Sequence, residues 1–301
     1  MFKFSENLPE VSEIALGCMR YNSMTEKEIG YLVDTALDAG INFFDHADIY
    51  GGGQCEELFG NALTPERRSR MVLQSKCAIR PGKCYDFSKE HILESVEGSL
   101  KRLKTDHLDV LLLHRPDALM EPSEVAEAFE SLRASGKVLS FGVSNMNPGQ
   151  IEYLSAAVGK ISADQIQMSI AHCPAIDAGI NFNIASDASC MRDGNILDYS
   201  RMKDITIQAW SPFQYGMFKG VFIGSEEYPK LNEVLTRLAK KYDTTENGIA
   251  AAWLLRIPGK MQVIIGSTNV QRILDCQKAA AIKLEREDWY ELYLSAGKIL
   301  P

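Results

Sequence analysis

At 301 residues, 46% hydrophobic and 24% charged, the chain can bury a large core and has ordinary globular composition. Its net charge of −8, from 32 basic and 40 acidic residues, argues against nucleic acid as the main partner, because phosphate binding needs a basic surface. No apolar run nears the ~18 residues of a membrane span, and the opening Met1-Phe2-Lys3-Phe4-Ser5-Glu6 lacks a signal-peptide apolar region.

Residues 2–17 read as a short hairpin leading into a first strand, Ile14-Ala15-Leu16-Gly17. Thr25 and Glu28 form a capping box for a helix with an apolar stripe of Ile29, Leu32, Val33, Ala36 and Leu37, ended by Gly40. A second strand is expected over 41–45, a helix over 55–63, and a third strand over 71–75, stopping at Lys76. Ser88 caps a helix over 88–103, and Leu108 to Leu113 is the fourth strand, stopping at His114. A helix over 122–135 closes at Gly136, and the fifth strand, Val138 to Val143, stops at Ser144 and Asn145.

Pro148 opens a helix to 157, followed by a sixth strand over 163–167 and a long connection over 170–195. A helix over 194–203 leads to strand seven, Ile205 to Ala209, and then to an irregular segment, 211–227. Helices over 228–242 and 245–256 precede strand eight, Gln262 to Ile265, and helices over 269–279 and 285–298 follow it. Eight apolar strands alternating with helices, without a composition break, predict a single α/β domain over 1–301. Its form is a (β/α)8 TIM barrel with an N-terminal β-hairpin and extra C-terminal helices.

Active sites of such barrels lie at the C-terminal ends of the strands. Read in turn, those ends carry Asp45 and Tyr50, then Lys76, then His114, then Ser144 and Asn145, with Gln165 late in strand six. The pattern suits proton transfer. A phenol of ordinary pKa ~10 is a weak acid at neutral pH. A neighbouring ammonium, Lys76, favours the phenolate and is expected to lower that value, while Asp45 holds the lysine charged. His114 can orient a carbonyl oxygen. The proton must be matched by a hydride, which only a cofactor can supply.

The segments DHADIYGGGQCEELFGNAL, HLDVLLLHRPD, GKVLSFGVSN and IIGSTNVQRI resemble the aldo-keto reductase superfamily over essentially the whole chain, most closely a bacterial oxidoreductase subgroup. The resemblance implies a catalytic tetrad of Asp45, Tyr50, Lys76 and His114. It implies NADPH/NADP+ as cofactor, with Ser144, Asn145 and Gln165 on the nicotinamide carboxamide and Trp210 stacked on the ring. Ser267, Thr268, Asn269 and Arg272 would face the adenosine 2′-phosphate, and Gly17 and Ser211 complete the cofactor set. Two positions depart from the family pattern: Gly266 stands where lysine is common, and Asp164 where asparagine is commoner, which would alter the carboxamide contacts.

The partner expected is a small carbonyl substrate, with no nucleic acid, no membrane and no metal, in a cytoplasmic monomer or weak homo-oligomer. Two other readings stay open. His46, Asp48, His114 and His172 could ligate a metal in a barrel hydrolase, and relatives of this fold also serve as nicotinamide-binding regulatory subunits with slow turnover. His91 and His107 are expected to be solvated. The seven cysteines show no CxxC spacing and read as reduced thiols, Cys55 being the one near the site. Loops around 18–24, 80–87, 115–120, 170–195 and 211–227 would shape the substrate pocket, with Met19, Tyr21, Tyr85, Phe182, Phe213 and Tyr215 as its aromatic and apolar wall.

Overall fold

The alternation of apolar strand and amphipathic helix closes on itself. In the computed structural model, which describes residues 1–300, an antiparallel hairpin of β1 (Phe2–Lys3) and β2 (Glu10–Val11) leads into β3 (Ile14–Gly17), β4 (Phe43–Asp45) and β5 (Val72–Cys77). A small excursion, β6 (Ile79–Arg80) paired with β7 (Cys84–Tyr85), precedes β8 (Leu108–Leu113), β9 (Val138–Ser144), β10 (Ala163–Gln167), β11 (Thr206–Trp210) and β12 (Met261–Ile265). The parallel ring runs β3-β4-β5-β8-β9-β10-β11-β12 and shuts where Ile14, Ala15 and Leu16 pair with Val263, Ile264 and Ile265.

The helices begin and end for local reasons. Thr25 and Glu28 form the full capping box of helix Glu26–Asp38, whose Ile29, Leu32, Val33, Ala36 and Leu37 are buried. Ser88, Asn147 and Asn269 cap the helices Lys89–Leu103, Pro148–Val158 and Val270–Ala279. Helices Gln54–Ala62 and Lys89–Leu103 touch through their backbones at Gly60, where a Cβ would lie 2.1 Å from the Arg102 carbonyl oxygen.

Two cores result. The larger lies between strands and helices, with pairs such as Phe129 and Phe141 stacked at 4.0 Å. The smaller fills the lower barrel with Ala15, Phe43, Val72, Val110, Leu112 and Ile264, and the N-terminal hairpin plugs it with Phe4, Leu8 and Val11. Phe4 meets Phe43 at 5.4 Å between ring centroids. Each such side chain taken from water stabilises the fold by roughly 1.5–3 kcal/mol.

The structure moves some expected boundaries. Lys76 lies inside β5 rather than after it, because Lys76 and Cys77 pair with Leu112 and Leu113 of β8. Ser144 and Trp210 are likewise the last residues of their strands. A short helix, Pro65–Ser69, capped by Thr64, and the β6–β7 hairpin were not expected, being too brief for a periodic signal. The 170–195 connection is not structureless: it contains helix Pro174–Ile180. The last helix, Arg286–Ser295, ends earlier than 298, with Gly297 in the left-handed region at φ +80 just beyond it.

Candidate active site

Side chains alternate along a strand, so Val72, Gln74 and Lys76 leave β5 on one face and rise through the barrel in tiers. Val72 belongs to the apolar floor. In the tier above, Asp45 Oδ1 accepts hydrogen bonds from Gln74 Nε2 at 2.6 Å, Lys76 Nζ at 2.7 Å and Gln165 Nε2 at 3.1 Å. Gln74 and Gln165 also donate to Gln208 Oε1, each at 3.0 Å. Gln208 then donates to Gln262 Oε1 at 2.8 Å, and Gln262 to the Ser12 carbonyl at 2.7 Å. A charge this deep survives only when its lone pairs are met by donors, and the glutamines meet them.

Lys76 is fully buried, and its ammonium has three acceptors: Asp45, the His46 carbonyl at 2.7 Å and the Tyr50 hydroxyl at 3.1 Å. Because the lysine donates to the phenol oxygen, the Tyr50 O–H proton is left to point elsewhere. Tyr50 is half-buried and lines the barrel mouth, and the His114 ring stands edge-on to it at 6.0 Å and 82°. Burial opposes the lysine's charge, but Asp45 and Tyr50 outweigh it and hold its pKa above the ordinary value.

The phenol corrects the expectation. Burial pushes the Tyr50 pKa up and outweighs the lowering by Lys76, whose charge Asp45 opposes. Tyr50 is therefore held as the neutral phenol. Burial, Lys76 and Arg115 drive His114 down to about 2, so its imidazole is neutral. Its Nδ1 is buried without a hydrogen-bond partner among the described residues.

Above this set opens a cavity of about 890 Å³. Every predicted site residue lines it except Lys76, which lies beneath: Gly17, Asp45, Tyr50 and His114; Ser144, Asn145, Gln165, Trp210 and Ser211; and Ser267, Thr268, Asn269 and Arg272. Asn145 is held in the left-handed region at φ +59, its Nδ2 donating to Ser144 Oγ at 2.7 Å and its Oδ1 accepting from the Trp210 indole at 3.3 Å. Gln165 lines the cavity while its amide nitrogen donates inside the barrel to Asp45 and Gln208. Gly17 leaves no room for a side chain: a Cβ would lie 3.1 Å from Ile264 Cγ2.

The far rim suits a phosphate. Asn269, which lines this rim, caps the ten-residue helix Val270–Ala279, so a helix start with amides lacking intrahelical partners lies there. The Arg272 side chain is exposed and takes no carboxylate among the described residues. Asp275, the nearby acid, accepts from Gln271 at 2.8 Å instead. A Cβ on Gly266 would meet nothing within 4 Å, so the missing lysine leaves open space.

Other expected residues divide between the cavity and its surroundings. Asp164 does not reach the cavity. Alternation turns it outward, where it is fully buried and neither oxygen finds a hydrogen-bond partner among the described residues. Burial lifts it to about 7; the nearby amides of Met146 and Asn145 oppose the rise without making hydrogen bonds of ordinary geometry to it. His46 packs edge-on against Phe59 at 4.5 Å and is pushed down to about 3 by burial and Lys76. Among the described residues no three His, Cys, Asp or Glu side chains converge as metal ligands. His91 is buried rather than solvated, and His107 is hydrogen-bonded to Asp106 at 2.6 Å and Arg68 at 2.8 Å. Cys55 is buried, its thiol turned to the Met19 carbonyl. Of the expected wall, Met19, Tyr85 and Phe213 line the cavity and Tyr215 does not. Tyr21 is core, stacked on Phe59, and Phe182 is 79% exposed.

Residue-level reading missed Gln74, Gln208 and Gln262, and also Arg115, which lines the cavity beside His114. A signal existed for the glutamines. Each interrupts an apolar strand, Gln74 two residues before Lys76, and the pairings Asp45–Gln74, Gln165–Gln208 and Gln208–Gln262 bring them to one level of the barrel.

The fold and site together define a parallel (β/α)8 barrel with a buried acid–lysine pair poised under a phenol at its C-terminal mouth. The chain belongs to the aldo/keto reductase family, whose model matches residues 13–293. It is 34% identical to the oxidoreductase YdhF of Escherichia coli, covering 96% of this chain and 94% of that one. It is 33% identical to a 6-dehydroglucose reductase of Agrobacterium fabrum, covering 96% of each. The fold matches the thermostable aldo-keto reductase Tm1743, solved with the inhibitor epalrestat, with a TM-score of 0.76, 26% identity and coverage of 96% of this chain and 97% of that one. A Klebsiella pneumoniae aldo-keto reductase in complex with NADPH matches with a TM-score of 0.75 at 24% identity, covering 94% and 90%.

Proposed function

We propose that residues 1–301 act as one barrel domain that reduces an aldehyde or ketone to the alcohol with NADPH. The observation that carries this is the hydrogen bond from the buried Lys76 ammonium to the Tyr50 hydroxyl, at 3.1 Å and backed by Asp45. NADPH, when bound, supplies the hydride that adds to the carbonyl carbon. Tyr50 gives its hydroxyl proton to the carbonyl oxygen as that carbon is reduced, and Lys76 stabilises the phenolate left behind. Asp45 is a positioning residue that keeps Lys76 charged and aimed. Neutral His114 presents its ring to the same oxygen and cannot compete as a strong acid.

The chain's own residues fit the cofactor. Ser144 and Asn145 present polar groups at the edge of the Trp210 ring for the carboxamide. Ser267, Thr268, Asn269 and Arg272 offer the adenosine 2′-phosphate hydroxyls, helix-start amides and a planar cation. The reductase name of the Agrobacterium relative agrees with this direction of reaction.

The test is a panel of aldehydes and ketones followed by NADPH absorbance, with NADH in parallel. Consumption of NADPH faster than of NADH, with the alcohol as product, is expected. Tight cofactor binding with no carbonyl turned over would place the chain among nicotinamide-binding sensors instead.

A further inference from the structure

The cations of the mouth divide between two sides of the ring. Arg272 follows β12, whereas Arg115 follows β8, four strands away in the eight-stranded ring. Arg115 is the residue directly after His114, half-buried, with its guanidinium carbon 5.8 Å from the Trp210 ring centroid. No acid pairs with it among the described residues. Asp117, the acid nearest in sequence, is taken by the amides of Phe87 at 2.9 Å and Leu119 at 2.8 Å. Lys83, in the turn between β6 and β7, lines the cavity from the loop after β5, the strand next to β8. It too has no acidic partner among the described residues.

The balance of charge around the cavity is one-sided. Arg80 is paired with Asp86, and the one acid lining the cavity, Asp45, is neutralised by Lys76, which leaves Arg20, Lys83, Arg115 and Arg272 around the cavity without an acidic partner among the described residues. This occurs on a chain whose net charge is −8. A cleft lined by one sign concentrates ligands of the other. A half-desolvated guanidinium without a carboxylate is a costly group, and its planar fork matches carboxylate or phosphate oxygens.

We propose that the natural substrate is a carbonyl compound bearing an anionic group, carboxylate or phosphate, bound by Arg115 with Lys83 adding attraction at the rim. This rests on the carbonyl-reductase reading above. Arg115 sets specificity: with the carbonyl oxygen at Tyr50 and His114, an anion a few bonds away falls to the neighbouring guanidinium.

The experiment compares kcat/KM for matched aldehydes. One pair is succinic semialdehyde and its methyl ester; the other is glyceraldehyde 3-phosphate and glyceraldehyde. Wild type, Arg115→Gln and Arg115→Lys are assayed at low and high salt, with NADPH affinity measured by fluorescence. Wild type is expected to prefer at least one anion over its neutral partner by tenfold or more, and the preferred pair identifies carboxylate or phosphate. That ratio should fall toward one in Arg115→Gln, recover in part in Arg115→Lys, and shrink with salt. Neutral aldehydes reduced as well as both anions by wild type would overturn the inference and leave carbonyl reduction standing. So would an unchanged ratio in Arg115→Gln with weakened NADPH binding, which would assign Arg115 to the cofactor. Failure to reduce any aldehyde despite bound NADPH would remove the underlying reading, and this inference with it.

Discussion

The two sides of the mouth hold their charges in opposite ways. Beside β4, β5 and β8, Asp45 and Lys76 are 2% and 0% exposed, and every donor of the ammonium is engaged. Beside β12, Arg272 stands in solvent with no partner among the described residues. The buried side is fixed before any ligand arrives, so its electrostatics act in a low dielectric and its residues behave as one unit. The open side spends its charge on a ligand that brings its own, where water and salt weaken each contact.

Substitutions should reproduce this contrast. Tyr50→Phe is expected to lower kcat by ~10²–10⁴-fold, the usual contribution of a general acid. NADPH affinity should stay within a few-fold. Retention of a tenth of wild-type kcat, with hydride transfer rate-limiting, would require another proton donor. Lys76→Met leaves the Asp45 charge buried with only glutamine donors, and should cost about 3–5 kcal/mol of folding stability by denaturant titration. Asp45→Asn added to it should recover part of that loss. Strict additivity of the two would deny that they form one unit.

Asp164 gives a smaller effect with a definite sign. Its folded pKa, about 7, lies above the ordinary carboxyl value, so its stabilising contribution is present below pH 3.8 and lost as pH rises through about 7. Relative to Asp164→Asn, the wild type should lose roughly 2–3 kcal/mol between pH 5 and 8. Parallel stability curves would mean the carboxyl is solvated. The open side gives the smallest effect. Arg272→Ala should reduce kcat/KM with NADPH by about tenfold or less, with little change for NADH and with the difference fading in salt. Equal losses with both cofactors would remove the phosphate assignment.

The same contrast explains what the amino-acid order disclosed. The ring of strands was legible because buried parallel strands read as plain apolar runs, and Thr25 with Glu28 marked a helix start outright. The convergence of Asp45, Tyr50, Lys76 and His114 was readable from the ends of their strands, although Lys76 lies within β5 and not beyond it. Gln165 was placed at the mouth, but its inward commitment depends on the register with Gln208, which no local signal carries. The balance of forces on Tyr50 was equally hidden, since burial is a property of the finished packing. Brief elements such as Pro65–Ser69 and the β6–β7 hairpin have too few residues to show a period.

The seam of the ring has a consequence for how the protein is made. Gln262 reaches the Ser12 carbonyl and Val263 the Glu13 carbonyl, at 2.7 Å and 2.8 Å, across nearly the whole chain. While the chain emerges from a ribosome, β3 remains a bare edge with unpaired amides and carbonyls until its last partner strand has been translated. Until then the staves stand without their hoop, open to any passing strand. The nascent chain is most exposed to mispairing during that interval, and a holding chaperone would have most to shield there.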